Sequence, residues 1–146
     1  MKKNINIFVY GSLREGFYNY DKYLKEKITS IRQAKIDDMI IYHMPYKGYP
    51  AMFNGDGTVY GEIIEIIPDI YDDVISAMDI MEGFISENNP KNEYHKKIME
   101  VKDLNNGRKE YCYTYYYNHV IDDKFEKEAI LINHGNWAKY MTENQY

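Results

Sequence analysis

Glu82 follows Tyr71, Ile75 and Met78 at the spacing of one helical stripe. A carboxylate that ends an apolar stripe has two possible fates. Placed among core residues it loses water, and its pKa rises toward neutrality. A general acid/base works best in that range. At a helix end it can equally swing out to solvent. The second chemically suggestive stretch is Ile5–Asn19, an apolar run that breaks at Gly11 and passes through Ser12, Leu13, Arg14, Glu15 and Gly16. A strand, a glycine loop and a helix start are the usual means of aiming backbone N–H groups at an anion or a carbonyl. The same pattern is also an ordinary strand ending in a turn.

Sharper readings of these residues fail on spacing. Gly11 and Gly16 are spaced as in a phosphate loop, but Phe17 and Tyr18 follow where Lys and Ser or Thr are required. The dinucleotide GxGxxG pattern is absent. Ser12 lies in GSL, which is not a nucleophile elbow. Glu82 with Asp79 or Glu62 has no spacing that favours a paired-carboxylate glycosidase. Asp79 reads as structural, able to pair with a cation or cap a loop, and Glu62 and Glu65 read as strand-end or sheet-edge charges. The four histidines show no HxxxH or HExxH spacing. Cys112 is the sole cysteine, which excludes an internal disulfide and a thiolate metal cluster, and it reads as a small core residue.

The elements that must position Glu82 and the loop follow from periodicity. Ile5, Ile7 and Val9 alternate as a strand with one face buried. Asn19 is placed to cap a short helix over 20–27, with Tyr23 and Leu24 inside. Residues 34–42 read as a strand interrupted by Asp37 and Asp38. Pro45 and Gly48-Tyr49-Pro50 form a turn, 51–53 is extended, and Asn54-Gly55-Asp56-Gly57 is a tight-turn signal before a strand over 58–67. Pro68-Asp69 opens a helix with Asp69 as cap and Asp72 completing a capping box, and Gly83 stops it. Residues 85–92 form a polar loop expected to shape the pocket entrance and tune substrate choice. Strands over 94–101 and 110–117 flank an Asn105-Asn106-Gly107 hairpin. A helix over 125–133 closes at Gly135, with Trp137 as a packing anchor. Helices and hairpins without βαβ alternation predict an α+β fold, a small curled sheet with helices outside.

The 146 residues fit one domain spanning 1–146. A net charge of −5 argues against a nucleic-acid binder and favours a small-molecule or protein partner. No run approaches the ~18 apolar residues of a membrane span. The start of the chain shows no signal-peptide core, so a reducing cytoplasm is expected. Seventeen tyrosines can line a site, or can follow, with Ile, Asn and Lys, from AT-rich coding. Neither the leaving group of any reaction nor the oligomeric state is specified by these residues.

Taken together, the pieces resemble the γ-glutamylcyclotransferase-like family, in its small bacterial, γ-glutamylamine-cyclotransferase-like branch. The likeness runs through VYGSLREGFYN (9–19), GYPAM (48–52), TVYGEIIEI (58–66), MDIMEG (78–83), the strand ending TYYY (114–117) and the tail HGNW (134–137). It implies a mixed α/β fold with a small barrel-like sheet. It implies that Tyr10, Gly11, Ser12 and Leu13 bind the γ-glutamyl part of a small-molecule substrate, that Glu82 is the catalytic acid/base, and that Tyr115 faces the site. It also implies release of 5-oxoproline and a free amine without metal or cofactor. Two departures bear on substrate choice: Lys96 stands where the family often has arginine, and Asn136 where it has aspartate. A non-catalytic binding module on the same fold and a hydrolase of γ-glutamyl amides are the competing functions.

Overall fold

The computed structural model describes residues 4–144. Six strands are formed: β1 (Ile7–Val9), β2 (Ile28–Met44), β3 (Tyr49–Ile66), β4 (Tyr94–Asp103), β5 (Lys109–Tyr117) and β6 (Ile130–Leu131). Four helices accompany them: α1 (Tyr18–Tyr23), α2 (Tyr71–Met81), α3 (Phe125–Glu128) and α4 (Trp137–Glu143). The order β3-β1-β5-β4-β2 closes on itself because β2 also pairs with β3, and β6 adds to β2. The pairing of β1 with β5 is parallel and the rest are antiparallel. This is the expected α+β architecture: a closed five-stranded mixed barrel with flanking helices.

Closure changes what β1 must be. Ile7 and Val9 join one apolar cluster and Phe8 joins a second, and all three are almost fully buried. The alternation of Ile5, Ile7 and Val9 suggests one buried face, whereas a strand inside a covered barrel buries both. Gly61 lets β3 approach it: a β-carbon there would lie 2.1 Å from the Val9 carbonyl oxygen.

The long β2–β3 hairpin corrects one sequence reading. Asp37 and Asp38 lie within a strand as read, but the Asn54–Gly57 stretch, read as a tight turn, lies inside β3. The register steps from Asp37↔Thr58 to Met39↔Asn54, so the surplus residues bulge opposite Asp38, whose φ is +61°. The hairpin turn lies at 45–48, within the turn read at Pro45 and Gly48, with Gly48 at φ +81°, and β3 starts directly after it at Tyr49.

Three helix readings are also revised. Asp69 sits in a 3₁₀ turn (Pro68–Ile70), and α2 begins after it with no side-chain cap. Asp72 and Asp73 still meet the positive end of the helix. α1 is shorter than read and ends at Tyr23, with Glu26 at φ +67° just beyond it; Asn19 lies inside α1 rather than at its cap, its side chain turned to Ser12 of the glycine loop. Residues 125–133 divide into α3 and β6, since Ile130 and Leu131 pair with His43 and Tyr42. Trp137 is the anchor expected, 1% exposed, with its indole N–H on His43 Nδ1 at 3.1 Å, and it opens a helix that the sequence reading lacked. Among the described residues no helix is long and apolar enough to cross a membrane.

Candidate active site

Tyr71, Val74 and Met78 bury one side of α2, and Ile75 and Met81 pack beside them. That burial carries the next turn of the chain inward. Glu82 is the C-cap directly after the last helical residue, Met81, and Gly83 takes φ +66° to leave the helix. The chain end is then fastened to the start of β4: the Tyr94 N–H donates to the Glu82 carbonyl at 3.1 Å, and the Glu93 N–H to the Gly83 carbonyl at 3.0 Å.

The loop after β1 is fastened separately. The Arg14 N–H donates to the Gly11 carbonyl at 3.0 Å, closing a turn. Ser12 accepts twice, from the Tyr20 N–H on its carbonyl (3.1 Å) and from Asn19 Nδ2 on its hydroxyl (2.7 Å). Gly11 is obligatory through crowding, since a β-carbon there would lie 2.6 Å from Pro50 Cγ. The N–H groups of Gly11, Ser12 and Leu13 donate to no described residue.

The loop and the carboxyl meet at one cavity of about 290 Å³. Tyr10, Gly11, Ser12, Leu13, Glu82 and Tyr115 all line it. These are the six residues singled out from sequence, separated by up to 105 positions. Glu82 keeps some accessible surface because it faces this cavity; otherwise protein surrounds it. Its carboxyl oxygens accept no hydrogen bond from any described residue. Burial pushes its pKa from the ordinary 4.5 up to about 8, assisted by the negative charges of Glu93 and then Asp79.

Three phenols stiffen the walls. Tyr10 donates to the Tyr115 carbonyl at 2.5 Å, Tyr94 to the Pro50 carbonyl at 2.5 Å, and Tyr115 to Asp79 Oδ1 at 2.6 Å. Burial raises the pKa of all three, followed by Glu82 at Tyr10, by Tyr10 and then Glu82 at Tyr94, and by the Asp79 hydrogen bond at Tyr115, so they remain neutral donors. Asp79 has the structural role expected of it. Lys96 Nζ lies 3.0 Å from both its oxygens, so this lysine serves to hold Asp79 and, through it, Tyr115. Among the described residues no group of three or more His, Cys, Asp or Glu side chains could hold a metal ion.

Sequence reasoning missed part of the lining. Tyr18, Lys22, Tyr23, Tyr49, Glu93 and Tyr94 also face the cavity. Six of the 17 tyrosines therefore line it, so composition carried a signal that coding bias masked. The 85–92 loop, expected at the entrance, contributes no lining residue. Asn92 draws it onto itself instead, accepting from the Ile85 N–H (2.6 Å) and donating to the Ser86 carbonyl (2.9 Å). Cys112 is fully buried, and burial raises its thiol pKa to about 12, as befits a core residue.

Glu62 is the clearest correction. It is a buried residue, 5% exposed, rather than an edge charge. It faces Val9 across the β1–β3 pair, accepts from the Glu15 N–H at 3.0 Å and from Gln33 Nε2 at 3.2 Å, and lies 3.7 Å from Arg14 Nε. Arg14 reaches on to Asn136 Oδ1 at 3.0 Å, the same oxygen that caps α4 through the Lys139 N–H. This cluster ties the far side of the glycine loop to β3 and α4. Removing one partner of a buried pair strands the other charge, so Glu62→Ala should lose about 3 kcal/mol of stability in urea denaturation. A loss below about 1 kcal/mol, the range of surface pairs, would mean that the cluster is effectively solvated.

Comparison with known proteins gives a consistent picture. Residues 7–139 match the family described as "Gamma-glutamyl cyclotransferase, AIG2-like". The γ-L-glutamyl-butirosin B γ-glutamyl cyclotransferase of Niallia circulans is 27% identical over 139 residues, covering 95% of this chain and 79% of that protein. A putative γ-glutamylcyclotransferase of Methanocaldococcus jannaschii is 25% identical over 134 residues, covering 92% of this chain and 96% of that one. An AIG2-like protein from Mus musculus shares the fold at a TM-score of 0.69, with 20% identity over 91% of this chain and 87% of its own. YkqA from Bacillus subtilis does so at 0.67 with 21% identity; 98% of this chain is covered, which spans only 43% of that longer protein.

Proposed function

The chain belongs to the AIG2-like γ-glutamyl cyclotransferase family, and from that premise we propose that it cyclises γ-glutamyl amides to 5-oxoproline and a free amine, with Glu82 as general acid/base. The observation that carries this reading is a carboxyl group with no hydrogen-bond partner among the described residues, its pKa raised to about 8, in one cavity with three backbone N–H groups that donate to no described residue.

The reaction needs what such a cavity offers. In a γ-glutamyl amide the α-nitrogen can fold back on the γ-carbonyl carbon. Once the cavity holds that curled form, ring closure is intramolecular and much of its entropic cost is already met. Glu82 takes a proton from the α-ammonium, and the freed nitrogen attacks the γ-carbon. The carbonyl becomes an oxyanion. N–H donors at Gly11, Ser12 and Leu13 can hold this oxyanion or the substrate's α-carboxylate, each worth about 3 kcal/mol if well aimed. The ring nitrogen still carries two hydrogens and releases one of them, and the C–N bond to the leaving amine breaks as the leaving nitrogen takes up both protons, each relayed by Glu82, giving the lactam and an ammonium product. No water is consumed, and the enzyme ends as it began. The chemistry is an internal acyl transfer with the outcome of a cyclising lyase. A carboxyl group with a pKa near 8 can both accept and return a proton near neutral pH, which an ordinary glutamate does poorly.

The test is a product assay. Purified protein is incubated with γ-glutamyl amino acids, N-ε-(γ-glutamyl)lysine and γ-glutamyl amines, and products are followed by mass spectrometry. Formation of 5-oxoproline is the expected result. Free glutamate in its place would identify a hydrolase, and turnover of none of them by the folded protein would point to a binding module.

A further inference from the structure

Glu93 lines the cavity with Glu82 but was not legible as a site residue. Its backbone is fixed by three bonds: its N–H donates to the Gly83 carbonyl at 3.0 Å, its carbonyl accepts from the Asn118 N–H at 3.0 Å, and the adjoining Tyr94 N–H holds the Glu82 carbonyl. The two glutamates are therefore held by one short ladder between the end of α2 and the start of β4.

The two oxygens of Glu93 have different surroundings. Oε2 accepts from the Tyr49 hydroxyl at 2.6 Å and from Lys47 Nζ at 3.0 Å. Oε1 has no partner among the described residues and lies by Gly83, 3.6 Å from where a β-carbon on that residue would stand. The side chain is 33% exposed, so a solute in the cavity can reach it. The charged residues lining the cavity are Glu82, Glu93 and Lys22. Lys22 lies on α1 with its ammonium 5.4 Å from the centre of the Tyr23 ring. The Tyr49 and Lys47 contacts hold one oxygen of the Glu93 carboxylate and leave the other, beside Gly83 at the α2–β4 junction of this cavity-lining residue, without a described partner.

Resting on the cyclotransferase reading, we propose that Glu93 is the specificity-determining residue of the leaving-group side, and that it selects amines carrying a second, positively charged group. The γ-glutamyl end is accounted for by the glycine loop and Glu82. A carboxylate with a free oxygen elsewhere in the same cavity favours a cation, through a charge-assisted hydrogen bond, over a neutral or acidic group of the same length.

Three substrates of equal chain length separate the possibilities: the γ-glutamyl amides of 1,5-diaminopentane, pentylamine and 5-aminopentanoate. The wild-type enzyme should favour the first over the second by about tenfold in kcat/KM, mostly through KM, and should turn over the third least. Glu93→Gln should bring the cationic-to-neutral ratio close to one, and Glu93→Lys should reverse the order in favour of 5-aminopentanoate. If Glu93→Gln lowers all three by the same factor, Glu93 serves the common γ-glutamyl part or Glu82 itself, and the proposal fails while the cyclotransferase reading stands. If the wild-type enzyme releases 5-oxoproline from none of the three, the Glu93 proposal fails, and the γ-glutamyl amino acids of the wider panel decide the cyclotransferase reading.

Discussion

Glu82→Gln is expected to lower 5-oxoproline release by about 1,000-fold, within the range for loss of a general acid/base, with KM changed by no more than a few-fold. The substitution is well matched to its site. Glutamine has the shape of the protonated glutamic acid that burial favours at neutral pH. The carboxyl oxygens make no hydrogen bond to a described residue, so no internal partner is stranded. The glycine loop, which lines the same cavity, is untouched. An amide cannot take a proton from the α-ammonium or return one to the leaving nitrogen, so the loss should fall on kcat. Rate measurements with the best substrate of the panel, beside circular dichroism of the variant, separate this from misfolding. A folded Glu82→Gln protein that keeps more than about a tenth of wild-type kcat would move proton transfer to another group.

How far the chain was legible depended on whether a signal was local. The Gly11 loop was legible because a strand period stops there, and Glu82 because an apolar stripe has a fixed period and Glu82 violates it. Neither signal reveals that the two meet. That meeting depends on β1 passing through a closed barrel and on the 82–83 segment bonding to 93–94, which are pairings between distant residues. The family resemblance supplied the link. Glu62 was misread for the same reason: on a strand, an edge charge and a buried charge look alike until the partner strand and Arg14 are in place. The bulge at Asp37–Met39 was misread because Asn54-Gly55-Asp56-Gly57 has the composition of a turn, and only the continued β2–β3 register shows that the strand carries on. Asn19 had the right residue type for a helix cap, but it lies inside α1 with its side chain turned to the Ser12 hydroxyl.

Raising a carboxyl pKa is also a statement about stability, and this permits a test of Glu82 that does not depend on turnover. In the unfolded chain the group loses its proton near 4.5, and in the folded chain near 8. Between these values the folded state holds a proton that the unfolded state has released, so stability must fall as pH rises through the window. At about 1.4 kcal/mol for each step of one pKa unit, the full change is on the order of 5 kcal/mol. The expected result is that Glu82→Gln and wild type have similar stability near pH 4.5, and that the variant becomes the more stable of the two by several kcal/mol near pH 8.5. Using the difference between the two proteins removes other groups that titrate independently of Glu82. Burial lowers the His43 pKa, so His43 adds stability as pH rises, but it does so in both proteins. Asp103 and Asp122, whose pKa values are lowered by their hydrogen-bond partners despite burial, act below the window. The same ionisation should appear in function, with kcat/KM rising toward pH 8 as Glu82 becomes able to accept the α-ammonium proton. Urea denaturation of both proteins at intervals of pH measures the difference directly. A gap that stays constant within about 0.5 kcal/mol would mean that Glu82 ionises as an exposed glutamate does, its side chain turned to water.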